Sequence, residues 1–533
     1  MTTEFQHWRP YLGLFLLTLI FRVATAVPLE QAGYMDASYT IHVAENLARG
    51  DGFVEYVLWN YLDNPTGLPH PSNTYWMPLP ALLVAPFFFG LGVSYRVAQI
   101  PFILLSSLLP LFAFYLARRI LARDDYAWAA AIFTACSGFY TIYWVSPDNF
   151  TPFALTATVC LYMSARGVET QSARYFFAAG IFAALSHLSR ADGVLLLAIP
   201  PIALIVNQPT RSLKIVLLST GYCLLGYLLL LTPWFARNYV VIGAPYPSAG
   251  TKTLWLTNYD ELFRFADDLT WQRYLAWGMD QIVASKLTAA ARNVFIIVFS
   301  TLQIALAPFA VIGVWQLRRR RELQAFLIYA TLLYLAMTVA FTLPSWRGSL
   351  FHSASAFLPF CALAVPPGIE GLVRWVARRR RTWDARVAAR VFLAGFAALA
   401  IFLSIYLYAS AVFPGIGASA SDIPLWNLRD AEYPAIARWL DQNARADDLV
   451  LVVDPPGFYN VSHRRAIAIP TDSVEAVLLA AKKFGARYLI VQFDHPAPLN
   501  DLYHARAPVP GLTRVAEFRD GNGKPATLFE IAR

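Results

Sequence analysis

The chain has 533 residues, of which 57% are apolar and only 14% are Asp, Glu, Lys or Arg, against roughly 25% charged in an ordinary soluble domain. A chain this apolar cannot cover itself with polar surface, so lipid is part of its solvent, and collagen-like, disordered and disulfide-rich classes are excluded. The net charge of +9 does not point to nucleic acid, because the basic residues sit largely in short clusters between apolar runs, the pattern of membrane topology.

Runs long enough to span a bilayer occur at 11–29, 97–117, 126–145, 150–165, 174–189, 193–206, 214–232, 293–317, 324–342, 349–367 and 389–412. The first lacks a small-residue cleavage site and reads as an anchor. A further run, 76–92, carries Pro78, Pro80 and Pro86 and ends at Gly90 and Gly92. If it crossed the membrane, every later arginine cluster would flip outward. Laid along the interface, with the N-terminus inside, it leaves Arg9, Arg118/Arg119/Arg123, Arg166/Arg174, Arg211/Lys214, Arg318–Arg321 and the Arg374–Arg390 cluster on the inner side. The outer side receives two long loops, 30–96 and 233–292, and the tail. Cys136, Cys160, Cys223 and Cys361 all lie in apolar runs, so no disulfide or zinc site is expected.

The tail changes character. Glu432 to Asn443 reads as an amphipathic helix, Leu449 to Val453 as a buried strand, Asp454-Pro455-Pro456-Gly457 as a turn, and Arg487 to Phe493 as a second strand. Asp472 is placed to cap a helix running through Phe484. No glycine-rich phosphate motif follows either strand, so no nucleotide site is expected. The sequence predicts a mainly α polytopic membrane protein of eleven spans over residues 1–412, a linker at 413–424 and a small exoplasmic α/β domain at 425–533.

Candidate chemistry gathers on the outer side. Gly33-Tyr34-Met35-Asp36-Ala37-Ser38-Tyr39 opens the first long loop ahead of a helix-like stretch to Arg49. Asp36 is either an N-cap or a general base held at the membrane surface. Ser146-Pro147-Asp148-Asn149 forms the next outer turn, where Asp148 is again a cap or the second member of a carboxylate pair, as acid/base partner or cation ligand. Ser189-Arg190-Ala191-Asp192-Gly193 closes a tight hairpin, with an Arg–Asp pair or a ligand contact equally satisfying its charges. Arg237 leaves the membrane after Pro233-Trp234, a position where snorkelling to headgroups is common, and Lys252 and Tyr259-Asp260 follow in the second loop. Arg347 and His352 stand at a later outer turn; a histidine just inside a span needs a hydrogen-bond partner. Acids ringed by cations suit transfer from a phosphate leaving group: a base takes a proton from an incoming hydroxyl while cations stabilise the departing oxygens. No ATP motif marks the inner face, so the substrate's energy would arrive in the lipid itself.

This order of motifs resembles the GT-C integral membrane glycosyltransferases, especially the branch containing protein O-mannosyltransferases and the lipid A aminoarabinose transferase. The resemblance covers about residues 1–412 and rests on Asp36 with Tyr39, Tyr75-Trp76-Met77-Pro78-Leu79-Pro80, Ser146-Pro147-Asp148, Ser189 to Gly193, Pro233-Trp234 with Arg237-Asn238-Tyr239, and Arg347-Gly348 with Phe351-His352-Ser353. It implies an inverting transfer from a polyprenyl-phosphate sugar on the outer face of a bacterial plasma membrane, with Asp36 as general base or acceptor-positioning residue, Asp148 assisting, and Tyr39, Arg190, Asp192, Arg237, Lys252, Tyr259, Arg347 and His352 around the donor and its phosphate. Many relatives carry two adjacent acids in the first loop, whereas Met35 and Ala37 flank Asp36 here. A divalent cation is therefore left open and no cofactor is assigned. The expected partners are the lipid-linked donor, an acceptor of unassigned class and membrane lipids. A transporter or lipid flippase, and a scaffold protein, share the composition. Against the first, the polar residues collect at one face rather than at the midplane.

Overall fold

The computed structural model describes residues 2–207, 212–342, 350–380, 382, 384–416 and 424–532, with side chains from Trp8 onward. Arg211, Arg347, Arg381 and residues 417–423 of the linker lie outside the described residues. The chain begins with α1 (Thr2–Ala26), then α2 (Met35–Arg49), the short strands β1 (Val54–Glu55), β2 (Val57–Leu58) and β3 (His70–Pro71), and α3 (Leu79–Leu91). Next come α4 (Tyr95–Leu121), α5 (Asp124–Ala135), α6 (Phe150–Thr170), α7 (Ala173–Ser189), α8 (Ile199–Asn207) and α9 (Leu213–Ile242). The second long loop holds α10 (Ser248–Lys252) and α11 (Trp271–Ala276), followed by α12 (Met279–Ile296), α13 (Ala307–Leu317), α14 (Arg321–Leu335), α15 (Leu350–Ser353), α16 (Leu358–Ala377) and α17 (Ala385–Val412).

Among the described residues, seven helical stretches are long and apolar enough to cross a membrane. Shorter apolar helices complete the bundle. The 13-residue α3 spans only about 20 Å at 1.5 Å per residue, too little to cross alone, and it packs between α2 and α4. The helices lie close where glycines allow it. A Cβ at Gly180 of α7 would fall 1.9 Å from the Cys223 carbonyl oxygen of α9, and one at Gly226 would fall 2.2 Å from that of Phe177, the small-residue contact by which membrane helices pack.

Several expected elements are divided differently. The run 126–145 is helical only through Ala135 and continues as 3-10 turns at Gly138–Tyr140 and Tyr143–Val145. At that break Gly138 takes φ +60°, its N–H donates to Ser404 Oγ at 2.8 Å, and Trp144 Nε1 donates to Ser137 Oγ at 2.6 Å. Side chains thus satisfy backbone and polar groups that a continuous helix would have used internally. The run 193–206 starts as 3-10 helix Ala191–Ala198 before α8. The run 293–317 is broken after Thr301, where Gln303 and Ile304 take positive φ, and α12 reaches back to Met279. Helix α9 continues through Pro233 to Ile242, so both ends of the second loop are helical.

The two ends of the bundle differ in chemistry. At one end Arg118 pairs with Asp124 at 3.0 Å, Arg119 with Glu169 and Glu322 at 3.4 and 3.6 Å, and Arg123 with Glu370 at 3.2 Å. These contacts draw α4, α5, α6, α14 and α16 together where the sequence placed its basic clusters. The long loops and the tail meet at the other end. There α18 (Tyr433–Asn443), β4 (Leu449–Val452), α19 (Pro455–Ser462), β5 (Ala466–Ala468), α20 (Val474–Phe484), β6 (Ala486–Val491), α21 (Asn500–Tyr503), β7 (Leu512–Arg519) and β8 (Pro525–Ile531) follow. They form one sheet of order β2-β5-β4-β6-β8-β7, parallel from β2 to β6 and antiparallel beyond. Its first strand, β2, comes from the first long loop. Ser473, not Asp472, caps α20 by accepting from Ala476 N at 3.1 Å. Asp472 instead accepts from Phe265 N at 2.5 Å and pairs with Arg264 at 3.1 Å, fastening the second loop.

Candidate active site

Asp36 sits in the first turn of α2. The N-cap position is Tyr34, so Asp36 does not cap the helix. Its carboxylate, half-buried, is free to face the turn that holds Asp148. That turn precedes α6, whose N-cap position is Asn149 and has no side-chain cap bond. Asp148, 3% exposed, instead accepts from Tyr34 Oη at 2.9 Å and from Asn149 N and Nδ2 at 2.5 and 2.8 Å. Asp36, Asp148 and His352, from three separate segments, bring one ligand atom each within 4.8 Å of one another.

Asn149 joins this trio to the Arg190 hairpin. Its Oδ1 accepts from His352 Nδ1 at 2.9 Å and from Arg190 Nη1 at 3.4 Å. The His352 ring stacks on Phe150 at 4.1 Å, which fixes its plane. Arg190 Nε also faces Asp192 Oδ1 and Ser353 Oγ, each at 3.0 Å, and Ser353 Oγ donates to Asp192. Arg190 therefore closes its own hairpin and faces the acids at once.

Burial sets the electrostatics. Removal from water raises Asp36 well above the ordinary carboxyl range; Asp148 adds to the rise, Arg190 opposes it, and Asp454 of the C-terminal region adds a further increment. Burial likewise lifts Asp148 to about 6, against the hydrogen bonds from Asn149 and Tyr34 and the charge of Arg190. Two carboxyls this close, both raised above the ordinary range, are suited to holding and exchanging a proton.

Between the acids and the first loop lies a cavity of about 10 Å³ lined by Asp36, Tyr39, Thr40, Asn73, Trp76 and Asp148, among others, room for about one water. Tyr39 is held across it: its hydroxyl donates to Glu55 at 2.6 Å and accepts from Asn73 N at 2.7 Å. Glu55 and Asp63 in turn flank His70 at 3.1 and 3.3 Å.

The structure does not gather every candidate. Arg237 Nη2 donates to the carbonyls of Phe53 and Ser72 at 2.9 and 3.0 Å, with its guanidinium over Trp234; it ties α9 to the first loop rather than snorkelling. Lys252 pairs with Asp267 in the second loop. Tyr259 packs beside Leu62, Leu256 and Leu262. Arg347 lies outside the described residues. Conversely, Tyr34, Asn149 and Ser353 bind the charged groups together, although in the sequence they are neutral neighbours of the acids and of His352. Asp454, which reads as part of a turn, accepts from Gly457 N as the N-cap of α19 and adds its charge to the site.

The family description that matches the chain is dolichyl-phosphate-mannose-protein mannosyltransferase, over residues 70–236. A search among curated protein sequences finds no match. Among solved structures the chain is similar to ArnT from Cupriavidus metallidurans bound to undecaprenyl phosphate, at 14% identity over 98% of each chain with a TM-score of 0.58. It is also similar to the oligosaccharyltransferase AglB from Archaeoglobus fulgidus in complex with an inhibitory peptide and a dolichol-phosphate, at 13% identity over 91% of this chain and 70% of that one, TM-score 0.57. The fold is the GT-C fold of membrane glycosyltransferases.

Proposed function

On that fold, we propose that the chain is an inverting glycosyltransferase that moves a sugar from a polyprenyl-phosphate donor to an acceptor hydroxyl, at the membrane face bearing Asp36 and Asp148. Asp36 takes the hydroxyl proton as the acceptor oxygen bonds to the anomeric carbon. The bond from that carbon to the phosphate oxygen breaks on the opposite side, and its electron pair leaves with the polyprenyl phosphate. Arg190, positioned by Asn149, Asp192 and Ser353, offsets the charge gathering on that phosphate. Asp148 holds Tyr34, Asn149 and His352 in register behind the base. In this reading the face is exoplasmic and the basic end cytoplasmic, in accord with the positive-inside rule, residues 1–412 carry the chemistry, and residues 425–533 brace the loops. Tyr39 bounds the sugar's side of the cavity, while Lys252, Tyr259 and Arg347 are assigned to donor approach from the second loop and the later outer turn. The proposal is supported above all by the convergence of Asp36, Asp148 and His352 within 4.8 Å, together with similarity to structures bound to polyprenyl phosphates.

Purified protein offered a panel of polyprenyl-phosphate sugars should release polyprenyl phosphate, detected by mass spectrometry. Asp36→Asn should cut the rate by about 10²–10⁴, the usual contribution of a general base, while eluting as a folded protein. A rate near wild type in that variant would remove Asp36 from the chemistry.

The same trio supports a second element of the reading. Two carboxylates and an imidazole suit a transition-metal dication such as Mn²⁺ better than Ca²⁺, and Asp36, Asp148 and His352 would hold it. Bound there, it would supply positive charge opposite the donor phosphate. Chelation should then lower activity and Mn²⁺ restore it; indifference to both would leave Arg190 as the cation of the site.

A further inference from the structure

A second cavity, of about 930 Å³, opens at the end of the bundle away from Asp36. It is lined by Arg123, Asp125 and Tyr126 of the α5 start, Pro366, Glu370 and Arg374 of α16, and Ala385, Arg386, Ala389, Arg390 and Leu393 of α17. Its distance from the candidate active site follows from α16. The stretch from His352 to Arg374 is 22 residues of helix, about 33 Å at 1.5 Å per residue, so the two sites lie at opposite membrane surfaces.

The charges inside are unevenly satisfied. Glu370 accepts from Arg123 at 3.2 Å and from Arg374 at 2.5 Å, and Arg123 also pairs with Asp125 at 2.6 Å. Those contacts consume both acids of the lining. Arg386 and Arg390 stand one helical turn apart on the cavity face of α17, and among the described residues neither makes an ion pair. Asp384, the N-cap of α17, is the carboxylate whose charge both arginines feel, and its Oδ1 accepts from Arg386 N and Val387 N rather than from a guanidinium. Two neighbouring guanidiniums outside any ion pair are a fork that matches phosphate oxygens.

The wall carrying them borders lipid. On the same stretch of α17, Val387 and Val391 are exposed at 57% and 64%, so one side of the helix faces acyl chains while Arg386 and Arg390 face the cavity. Deeper in, Pro366, Ala389 and Leu393 give the cavity an apolar floor. Trp375, exposed next to Arg374 in the chain with Arg379 over its ring at 3.7 Å, is the kind of aromatic that marks a headgroup level. A charged mouth above an apolar floor, beside a lipid-facing helix, fits an amphiphile entering from the bilayer.

We propose that this cavity binds a phosphate group, held by Arg386 and Arg390 and presented by the headgroup of an anionic phospholipid in the leaflet opposite the active site. A soluble phosphate ester offers the same chemistry, and the experiment separates the two sources. Full-length protein is placed in phosphatidylcholine nanodiscs doped with phosphatidylglycerol, and the lipids retained on release are read by native mass spectrometry. Wild type should retain phosphatidylglycerol over phosphatidylcholine. The double variant Arg386→Gln/Arg390→Gln should lose that preference by roughly 30-fold, the order expected for two arginine contacts near an anionic surface. Arg318→Gln, which removes a charge at the same end outside the cavity, should keep it.

A wild-type arm in pure phosphatidylcholine nanodiscs is titrated with inorganic phosphate and followed by thermal denaturation, so it does not depend on the variant folding. Saturable stabilisation there, with no phosphatidylglycerol preference, would assign the site to a soluble phosphate ester and overturn the lipid source. Equal retention of both lipids with no response to phosphate would overturn the site altogether. So would an equal loss in Arg318→Gln, because bulk charge would then explain the preference.

Discussion

Asp148 accepts three hydrogen bonds and is still lifted to about 6, because burial penalises its charge more than its donors reward it. The consequence for rate has a definite sign. A carboxyl with a raised pKa binds its proton at higher pH than usual, so the ionised form is lost as pH falls through about 6 rather than near 4. Asp36, the proposed base, is itself raised well above the ordinary carboxyl range, so the acid limb of kcat/KM should lie well above about pH 4. Arg190 pulls the Asp36 carboxyl downward, so Arg190→Gln should lower the rate and move the limb to higher pH. A pH–rate profile unchanged in position would separate Arg190 from the acids.

Gly33 offers a structural test one step away. It adopts φ +73°, and a Cβ there would lie 2.3 Å from the Trp426 ring. Gly33→Ala pays both a left-handed strain of about 1 kcal/mol and a collision with an indole that itself donates to Gln31 O at 2.9 Å. It should reduce transfer while the membrane bundle stays folded, as read by activity set against elution profile. The sequence shows the acids and the histidine because charge in an apolar chain is conspicuous. It does not show Asn149 or Ser353 as bridges, since a neutral amide or hydroxyl beside a charged group looks the same whether it spans two segments or faces solvent.

At the scale of elements, the first loop is pinned by the Glu55–His70–Asp63 group across the β1–β3 pair. Burial alone would lower the His70 pKa, yet its bonds to Asp63 and Glu55 outweigh that and carry it to about 9. A histidine raised from 6.5 to about 9 stabilises the loop fully below about pH 6.5 and loses that contribution as pH rises through 9. His70→Gln should weaken the loop by about 1–3 kcal/mol after allowance for screening. Limited proteolysis should detect cleavage between 50 and 75 in the variant at neutral pH, and in wild type only above about pH 9. Indifference of that cleavage to pH would mean that the loop is held by its other contacts. Helix positions were readable from apolar runs, whereas the breaks at 136–137 and 302–306 were not. They depend on Ser404, Ser137 and the positive φ of Gln303 supplying a local alternative to helical bonding, and no hydropathy pattern encodes that.

For the whole molecule, the arginine distribution that oriented the spans in the sequence reappears as the inter-helical ion pairs of one bundle end. The reach of the C-terminal region back to the first loop was less legible. Trp426, Asn427 and Arg429 bind the carbonyls of Gln31, Pro28 and Gly33, and Asn460 of α19 donates to Ser38 O at 2.9 Å. A two-residue strand such as β2 has too little pattern to be recognised. A chain stopped after residue 412 should still insert in membranes, yet expose the first loop to protease and lose transfer. Wild-type turnover by that truncated chain would confine residues 425–533 to another task.

The pairing of Val57 with Ala466 and Leu58 with Ile467 has a temporal side. The ribosome reaches β5 about 400 residues after making β2, on the order of 20–80 s later at typical elongation rates. Until then the segment that follows the Asp36 helix has no sheet to join, and a contact so distant in the chain closes late. On the proposed reading, a nascent chain would reside in the bilayer with Asp36 unassembled, becoming competent only once residues 425–533 have folded against the first loop.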